Sequence, residues 1–374
     1  MNIQRSGPRV LLLNNYEMDE AYDEWKAGLC PSHHLWGAAD LGVHGIDLKI
    51  LPFEKFRALN RYWRAQRLLG LQSTGMIALD QQIRCLVDTK SEVIYSACQY
   101  HSFLLARLRR LGILRKPLIA TLHHPFAPGG KEEQLLRGHD LLLCLSSKVR
   151  QQALDRGAVD QHKIRIIEWG PDLDFFGPFR PYDSMHIGNI PLLIGAGKSA
   201  RDYDTVVEAV RDSACRLDIY CSGSSRPTVA HSSERLRIFS GDRDGRAVGH
   251  VELREAYFEA YAIVIPMPSL NRLAGLTSLL DAMAIGRPVI MTRNDYIDID
   301  IEGEGFGFWV DPGDVAGWRS AIDSLLVNPR LALAMGSRAR QLAEERFNTC
   351  RFTSQVADAL RSVSVGGSTR PHRQ

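Results

Sequence analysis

Gly275-Leu-Thr-Ser-Leu-Leu-Asp281-Ala-Met-Ala-Ile-Gly286-Arg-Pro288-Val-Ile290 couples a glycine-started helix, one acidic residue and a Gly-Arg-Pro turn into an apolar strand. Leu276, Leu279, Leu280, Met283 and Ala284 recur at helical spacing, so one face packs. Asp281 borders that face, where a carboxylate needs a partner. Gly286 predicts the helix end, and Pro288 to Met291 a buried strand. This is the repeating unit of an α/β domain. A carboxylate on such a helix, near the C-terminal edge of a parallel sheet, is placed to accept hydrogen bonds from ribose hydroxyls.

The same alternation extends in both directions. Apolar runs at 9–14, 48–51, 92–96, 117–122, 141–146 and 164–167 are separated by helix-like stretches, one of them around 35–41. A second series, at 190–194, 217–221, 261–265 and 288–291, precedes helical segments over 315–345 and 351–363. Strands alternating with helices predict parallel sheets covered on both faces. At 374 residues the chain exceeds one ordinary core, so two doubly wound, Rossmann-like domains are expected. The polar, proline-containing stretch 177–190 reads as their linker. The expected division is 1–180, 186–350, a C-terminal helix over 351–365, and a polar tail over 366–374 without fixed structure.

Composition narrows the function classes. Hydrophobic residues make up 45% and charged residues 24%, as in ordinary globular chains. No apolar run is long enough to span a bilayer, and no signal peptide is recognisable, so a cytoplasmic protein is expected. The seven cysteines are scattered without a CxxC pair and read as reduced thiols. The net charge of +3 is unevenly spread, since residues 55–116 hold twelve Lys or Arg against Asp80, Asp88 and Glu92. Arg57, Arg61, Arg64 and Arg67 fall at helical spacing beside Tyr62 and Trp63, and Arg107, Arg109, Arg110, Arg115 and Lys116 form a second group. Such a segment is either a solvated helix face or a peripheral contact with anionic lipid at the inner membrane face. Nucleic acid is not expected, because no nucleic-acid module accompanies the charge.

Several loops carry chemistry. Gly195-Ala-Gly197-Lys198-Ser-Ala-Arg201 sits where a strand turns into a helix, a setting that favours an anion with Lys198 and Arg201 to neutralise it. His123 and His124 follow a strand, so an imidazole should project from its C-terminal edge as a packed side chain or a proton carrier. His33, His34, Trp36 and Gly37 lie in the loop after the first strand, where an indole face suits the apolar side of a sugar. Adjacent histidines chelate poorly and no carboxylate cluster is near in sequence, so no metal is expected.

Pro266-Met-Pro268-Ser269, Gly275-Leu276 and Leu280-Asp281-Ala-Met-Ala-Ile-Gly-Arg-Pro-Val-Ile together resemble the nucleotide-sugar signature of retaining GT-B glycosyltransferases of family 4, the glycosyl transferases group 1. The resemblance extends over about 115–355, through Trp169-Gly-Pro-Asp172 and Asp311-Pro-Gly-Asp314. It implies two Rossmann-like domains with an interdomain cleft and a C-terminal helix crossing back. Those enzymes carry two glutamates with seven residues between them. Asp281 stands at the second, ribose-contacting position, and Leu273 at the first, where the donor sugar is held. Ala196 replaces a common Arg, and Lys198 would act from a neighbouring position.

The resemblance implies a metal-independent hexosyltransferase without a cofactor, taking a nucleoside diphosphate sugar as co-substrate. The donor would meet Gly195, Gly197, Lys198, Arg201, Asp281 and the main chain of Ala274, Gly275, Leu276 and Thr277. His33, His34, Trp36 and Gly37 would face a sugar or lipid-linked acceptor, with His123 and His124 at the transfer. A non-catalytic nucleotide-sugar-binding or interaction protein, and a nucleotide-sugar epimerase, are the alternatives.

Overall fold

The computed structural model describes residues 7–14, 16–53, 55–56, 78–123, 125, 131–182, 190–228, 235–241 and 248–366. The chain divides into two compact units, Met1–Trp169 with Thr349–Gln374, and Gly170–Asn348. The tail beyond 366 lies outside the described residues.

In the first unit six parallel strands, β1 (Arg9–Leu13), β2 (Asp47–Ile50), β3 (Val93–Ser96), β4 (Leu118–Leu122), β5 (Leu141–Cys144) and β6 (Ile164–Ile166), lie in the order β2-β1-β3-β4-β5-β6. β3, β4 and β5 are buried along their whole length, which explains their unbroken apolar sequences. Helices α1 (Met18–Lys26), α2 (Leu79–Val87), α3 (Phe103–Arg110), α4 (Lys131–Leu136) and α5 (Ser147–Asp155) connect them. Leu11, Leu13, Ile94, Leu105 and Leu118 meet in one core cluster. The C-terminal helix, Thr349–Gly366, packs against β3 and β5, and Arg361 Nη2 donates to His44 O at 2.5 Å.

The helix expected around 35–41 is absent. A short 3₁₀ turn, Ser32–Leu35, gives way to a run of turns, because Trp36 and Gly37 both take positive φ, +53° and +90°. Left-handed backbone at consecutive residues ends a right-handed helix.

The second unit carries β7 (Leu192–Gly197), β8 (Arg216–Cys221), β9 (Leu236–Ser240), β10 (Ala262–Ile265), β11 (Val289–Thr292) and β12 (Gly307–Val310), all parallel, in the order β12-β11-β10-β7-β8-β9. Its helices are α6 (Leu173–Phe176), α7 (Tyr203–Ala209), α8 (His250–Glu259), α9 (Leu276–Ile285), α10 (Val315–Val327) and α11 (Pro329–Glu345). Strand β7 runs through Gly197, so Gly195 and Gly197 belong to the strand and the turn begins at Lys198. The helical stretch over 315–345 is two helices, parted where the Asn328 side chain accepts from Leu331 N and Pro329 opens α11. Helix α9 starts at Gly275 (φ +82°) and stops at Gly286 (φ +74°). From Ser278 to Ile285 every described residue is buried except Asp281, which is half-buried.

Candidate functional site

Strand order in the second unit reverses between β7 and β10, and the carboxyl ends of strands flanking such a reversal are where open α/β sheets take ligands. The loop leaving β7 is tightly tied. Ser222 and Ser225 hydroxyls donate to Lys198 O at 2.5 and 3.0 Å, and Asp202 N donates to Pro266 O at 3.2 Å. The Lys198 side chain stays exposed. Arg201 instead folds back across Gly197, so closely that a Cβ there would sit 2.3 Å from Arg201 Nε. Its Nη2 donates to Ser278 Oγ at 3.0 Å, and Ser278 Oγ donates to Ala196 O at 3.0 Å.

Across the reversal, Asn294 Nδ2 donates to Arg272 O (3.1 Å) and Ala274 O (3.3 Å), while its Oδ1 accepts from Tyr296 N. Met267 N donates to Thr292 Oγ1 at 2.9 Å. These bonds hold the segment leading to Gly275, whose missing side chain makes room for the Met291 methyl and the Met267 sulfur. No side chain caps α9. Its first turn therefore offers N–H groups and the positive end of the helix dipole beside the Arg201 guanidinium, two positive features that an anion would join favourably.

Asp281 follows one turn along α9. Burial pushes its carboxyl up to about 8. Tyr257 is fully buried next to it, its phenol raised first by burial and then by Asp281, and it hydrogen-bonds Ser278. Burial also raises the phenol of Tyr203, which lies beside Arg201. Arg201, Tyr203, Tyr257, Ser278 and Asp281 thus form one connected polar group under the strand ends. Tyr203, Tyr257 and Ser278 carry no sequence signal for it, since nothing in the pattern of their helices sets them apart.

The first unit gathers the other expected residues. Trp36 stacks on Trp169, with ring centres 5.2 Å apart and planes at 5°. His123 meets the Trp36 edge at 5.3 Å, and Phe352 of the C-terminal helix does so at 6.4 Å. His33 is buried, stacks obliquely with His34 at 4.3 Å, and its carbonyl accepts from Trp169 Nε1 at 3.2 Å. Tyr95 Oη donates to Trp36 O at 3.3 Å, and Tyr16 Oη to His34 O. One indole face of Trp36 is accordingly covered by Trp169. His124 lies outside the described residues, as do Arg57, Arg61, Arg64 and Arg67. Of the remaining basic cluster, Arg109 makes a paired contact with Asp140 (2.8 Å to each oxygen) and Lys116 binds Asp88 at 3.1 Å. Those two charges serve the fold. Among the described residues no group of three or more His, Cys, Asp or Glu could hold a metal ion, and no helix is long and apolar enough to cross a membrane.

Residues 193–328 match the family described as glycosyl transferases group 1. The D-inositol 3-phosphate glycosyltransferase of Corynebacterium jeikeium (strain K411) is 26% identical over 229 residues, 56% of this chain and 54% of that protein. The sulfoquinovosyl transferase SQD2 of Arabidopsis thaliana is 27% identical over 251 residues, 62% of this chain and 46% of that one. The chain thus spans about half the length of these curated relatives. Anabaena HepE, solved with UDP, superposes with a TM-score of 0.63 over 95% of this chain and 100% of its own, at 14% identity. Sucrose-phosphate synthase from Thermosynechococcus elongatus gives 0.65 over 96% and 100%, also at 14%. These likenesses show the fold, which is GT-B.

Proposed function

Because residues 193–328 belong to the glycosyl transferases group 1 and stand on a GT-B fold, we propose that the chain transfers a sugar from a nucleoside diphosphate sugar to a hydroxyl acceptor, with retention of configuration. The observation that carries this reading is the joining of Arg201 to the uncapped first turn of α9 through Ser278. A diphosphate completes that arrangement. Arg201 and the N–H groups of Leu276 and Thr277 take the distal phosphate, Lys198 reaches the diphosphate from its exposed position, and Asp281 faces the ribose.

In the transfer, the acceptor oxygen bonds to the anomeric carbon as the bond from that carbon to the phosphate oxygen breaks. The acceptor proton passes to the departing diphosphate. Positive groups at the helix terminus hold the charge that develops there, a role needing no metal. In the first unit, His123 at the end of β4, with Trp36 and His33, would serve the acceptor. The test is calorimetric titration with UDP, GDP, ADP and TDP and their sugars without added metal. Binding of one nucleotide family, lost in Arg201→Ala, supports the reading; a well-folded chain that binds none of them ends it.

One residue favours a second reading. Leu273 offers no carboxylate to a donor sugar, and the neighbouring Asn294 amide is spent on Arg272 O and Ala274 O. A protein that binds a nucleotide without transferring sugar fits that surface, and would show nucleotide affinity but no donor turnover with any acceptor.

A further inference from the structure

Helix α2 wears its amphipathic pattern inside out. Asp80, Gln81 and Gln82 are buried on its inner side, while Ile83, Leu86 and Val87, at i, i+3 and i+4, form an exposed stripe in which Val87 is 70% exposed. The inner side is fastened by its amides. Gln81 Nε2 donates to Leu51 O at 3.0 Å, and Gln82 Oε1 accepts from Leu104 N and Leu105 N at the start of α3. The helix is thereby held with its aliphatic side outward.

The loop after α3 enlarges the stripe. Lys116 Nζ donates to Asp88 Oδ2 at 3.1 Å and to Cys85 O at 3.5 Å, which draws the loop against the last turn of α2. Leu114 enters the same core cluster as Cys85, whereas Leu111 and Ile113 are 64% and 65% exposed. Lys90, Arg107, Arg110 and Arg115 stand exposed around them, against Glu92, which accepts from Arg9 N. An exposed aliphatic patch with a charged rim has the form of an association surface.

Its complement lies on the same unit. Helix α1 with the residue before it holds five carboxylates, Glu17, Asp19, Glu20, Asp23 and Glu24, against Lys26. Among them the half-buried rings of Tyr22 and Trp25 pair at 5.3 Å, and Leu29 beyond the helix is 54% exposed. One molecule cannot join the two faces. The strands are all parallel, and α1 leaves the carboxyl end of β1 to pack on the Ser32–Leu35 turn, which is bonded to Trp169 beyond the carboxyl end of β6. Val87 and the 111–113 loop instead precede β3 and β4, at the amino ends of the strands.

We propose that the Ile83, Leu86, Val87, Leu111 and Ile113 patch of one molecule docks on the Tyr22, Trp25 and Leu29 face of a second copy, with its basic rim against the carboxylates of α1. Because the two faces differ, the association runs head to tail, and each molecule keeps a face open for the next. Charge orients the encounter, and the aliphatic–aromatic contact supplies the affinity. The inference stands on the first unit alone and is independent of the donor reading.

The experiment is sedimentation velocity with light scattering on the full chain over a concentration series at low and high salt. Two variants accompany it, each altered only at exposed side chains: Val87→Ser with Arg110→Ser and Ile113→Ser, which blunts the patch, and Glu20→Lys with Glu24→Lys, which reverses the charge of α1. The wild type should grow past the dimer with concentration and dissociate with salt, and each variant alone should stay monomeric. An equal mixture of the two variants should form a one-to-one dimer and nothing larger, because each retains the face the other lacks. A monomeric wild type, variants that assemble as it does, or a mixture that stays monomeric overturns the proposal. A monomeric wild type that binds phosphatidylglycerol vesicles, with binding lost in the patch variant, overturns it as well and assigns the patch to a lipid surface.

Discussion

Arg201 Nη2 donates to Ser278 Oγ at 3.0 Å, joining the turn after β7 to the first turn of α9. Through Ser278 Oγ and Ala196 O the same contact reaches back into β7, so the cation is fixed on both sides of the strand reversal. A guanidinium resting on a helix N-terminus gains nothing from the dipole. It is placed for a negative partner shared with the helix.

Gly197→Ala tests that placement directly. A Cβ would fall within 2.6 Å of Arg201 Nε, Cζ and Nη2, and the long side chain can swing away with little cost to the fold. We expect a melting temperature close to wild type and a loss of about tenfold in nucleoside diphosphate affinity by calorimetry, comparable to losing one charge-assisted contact. An unchanged affinity would remove Arg201 from the phosphate site.

Asp281 gives a pH signature. Its carboxyl is raised from 3.8 to about 8 by burial, so the unfolded chain releases this proton in the acid range while the folded chain keeps it until about 8. Across that window the folded state binds more protons, and stability from this group falls as pH rises. Asp281→Asn should flatten the decline in melting temperature between about pH 5 and 8. If ribose hydroxyls donate to the ionised carboxyl, nucleotide binding also releases a proton. Wild-type affinity then increases as pH approaches about 8, a trend the variant lacks. Equal pH profiles for the two chains would place the ribose elsewhere.

Trp169→Ala examines the aromatic cluster of the first unit. The substitution removes a ring stacked on Trp36, edge-on to His33 at 5.7 Å, and hydrogen-bonded to His33 O. Loss of a large buried aromatic side chain costs about 3–5 kcal/mol, and the stacked geometry places this one within that range. Urea denaturation read by far-ultraviolet circular dichroism measures it. A cost below about 1 kcal/mol would mean that the stack is not tightly packed in solution.

Which features could be read from sequence follows from how local their causes are. The buried strands β3, β4 and β5 announce themselves as unbroken apolar runs, and α9 is bounded by the two glycines that give it left-handed ends. Strand β9 passed unnoticed because Leu236-Arg-Ile-Phe-Ser240 mixes charge with apolar residues, as an edge strand does, and its Arg237 is taken by Asp218 on β8. Helix α8 and strand β12, Gly307-Phe-Trp-Val310, also escaped, the strand being short and glycine-led. The 35–41 segment misled because apolar spacing says nothing about the positive φ of Trp36, which the cluster around Trp169 supports. Asp281 was legible as a carboxylate on the glycine-bounded helix α9, and Arg201 as a cation in the turn after β7. Tyr203 and Tyr257 were not, since only tertiary packing brings them to Arg201 and Ser278.

Arg287 shows the same limit from the side of stability. In sequence it is the middle of a Gly-Arg-Pro turn; in the structure it is 2% exposed, with Nε donating to Ala260 O at 2.7 Å, Nη1 to Arg180 O at 2.9 Å and Nη2 to Phe258 O at 2.6 Å. Its planar fork thus ties the end of α8 and the stretch before α9's exit strand to the segment around residue 180. Lysine presents a single ammonium and cannot reach three carbonyls in different directions. Arg287→Met should cost about 3 kcal/mol or more, since the buried Ala260 and Phe258 carbonyls and the part-buried Arg180 carbonyl lose their donor, and Arg287→Lys should recover only part of it. Chemical denaturation of both variants measures the difference. Because the residue lies away from the turn that holds Arg201, nucleotide affinity of the folded fraction should remain that of wild type, and a selective loss of affinity would instead make Arg287 a positioning residue for α9.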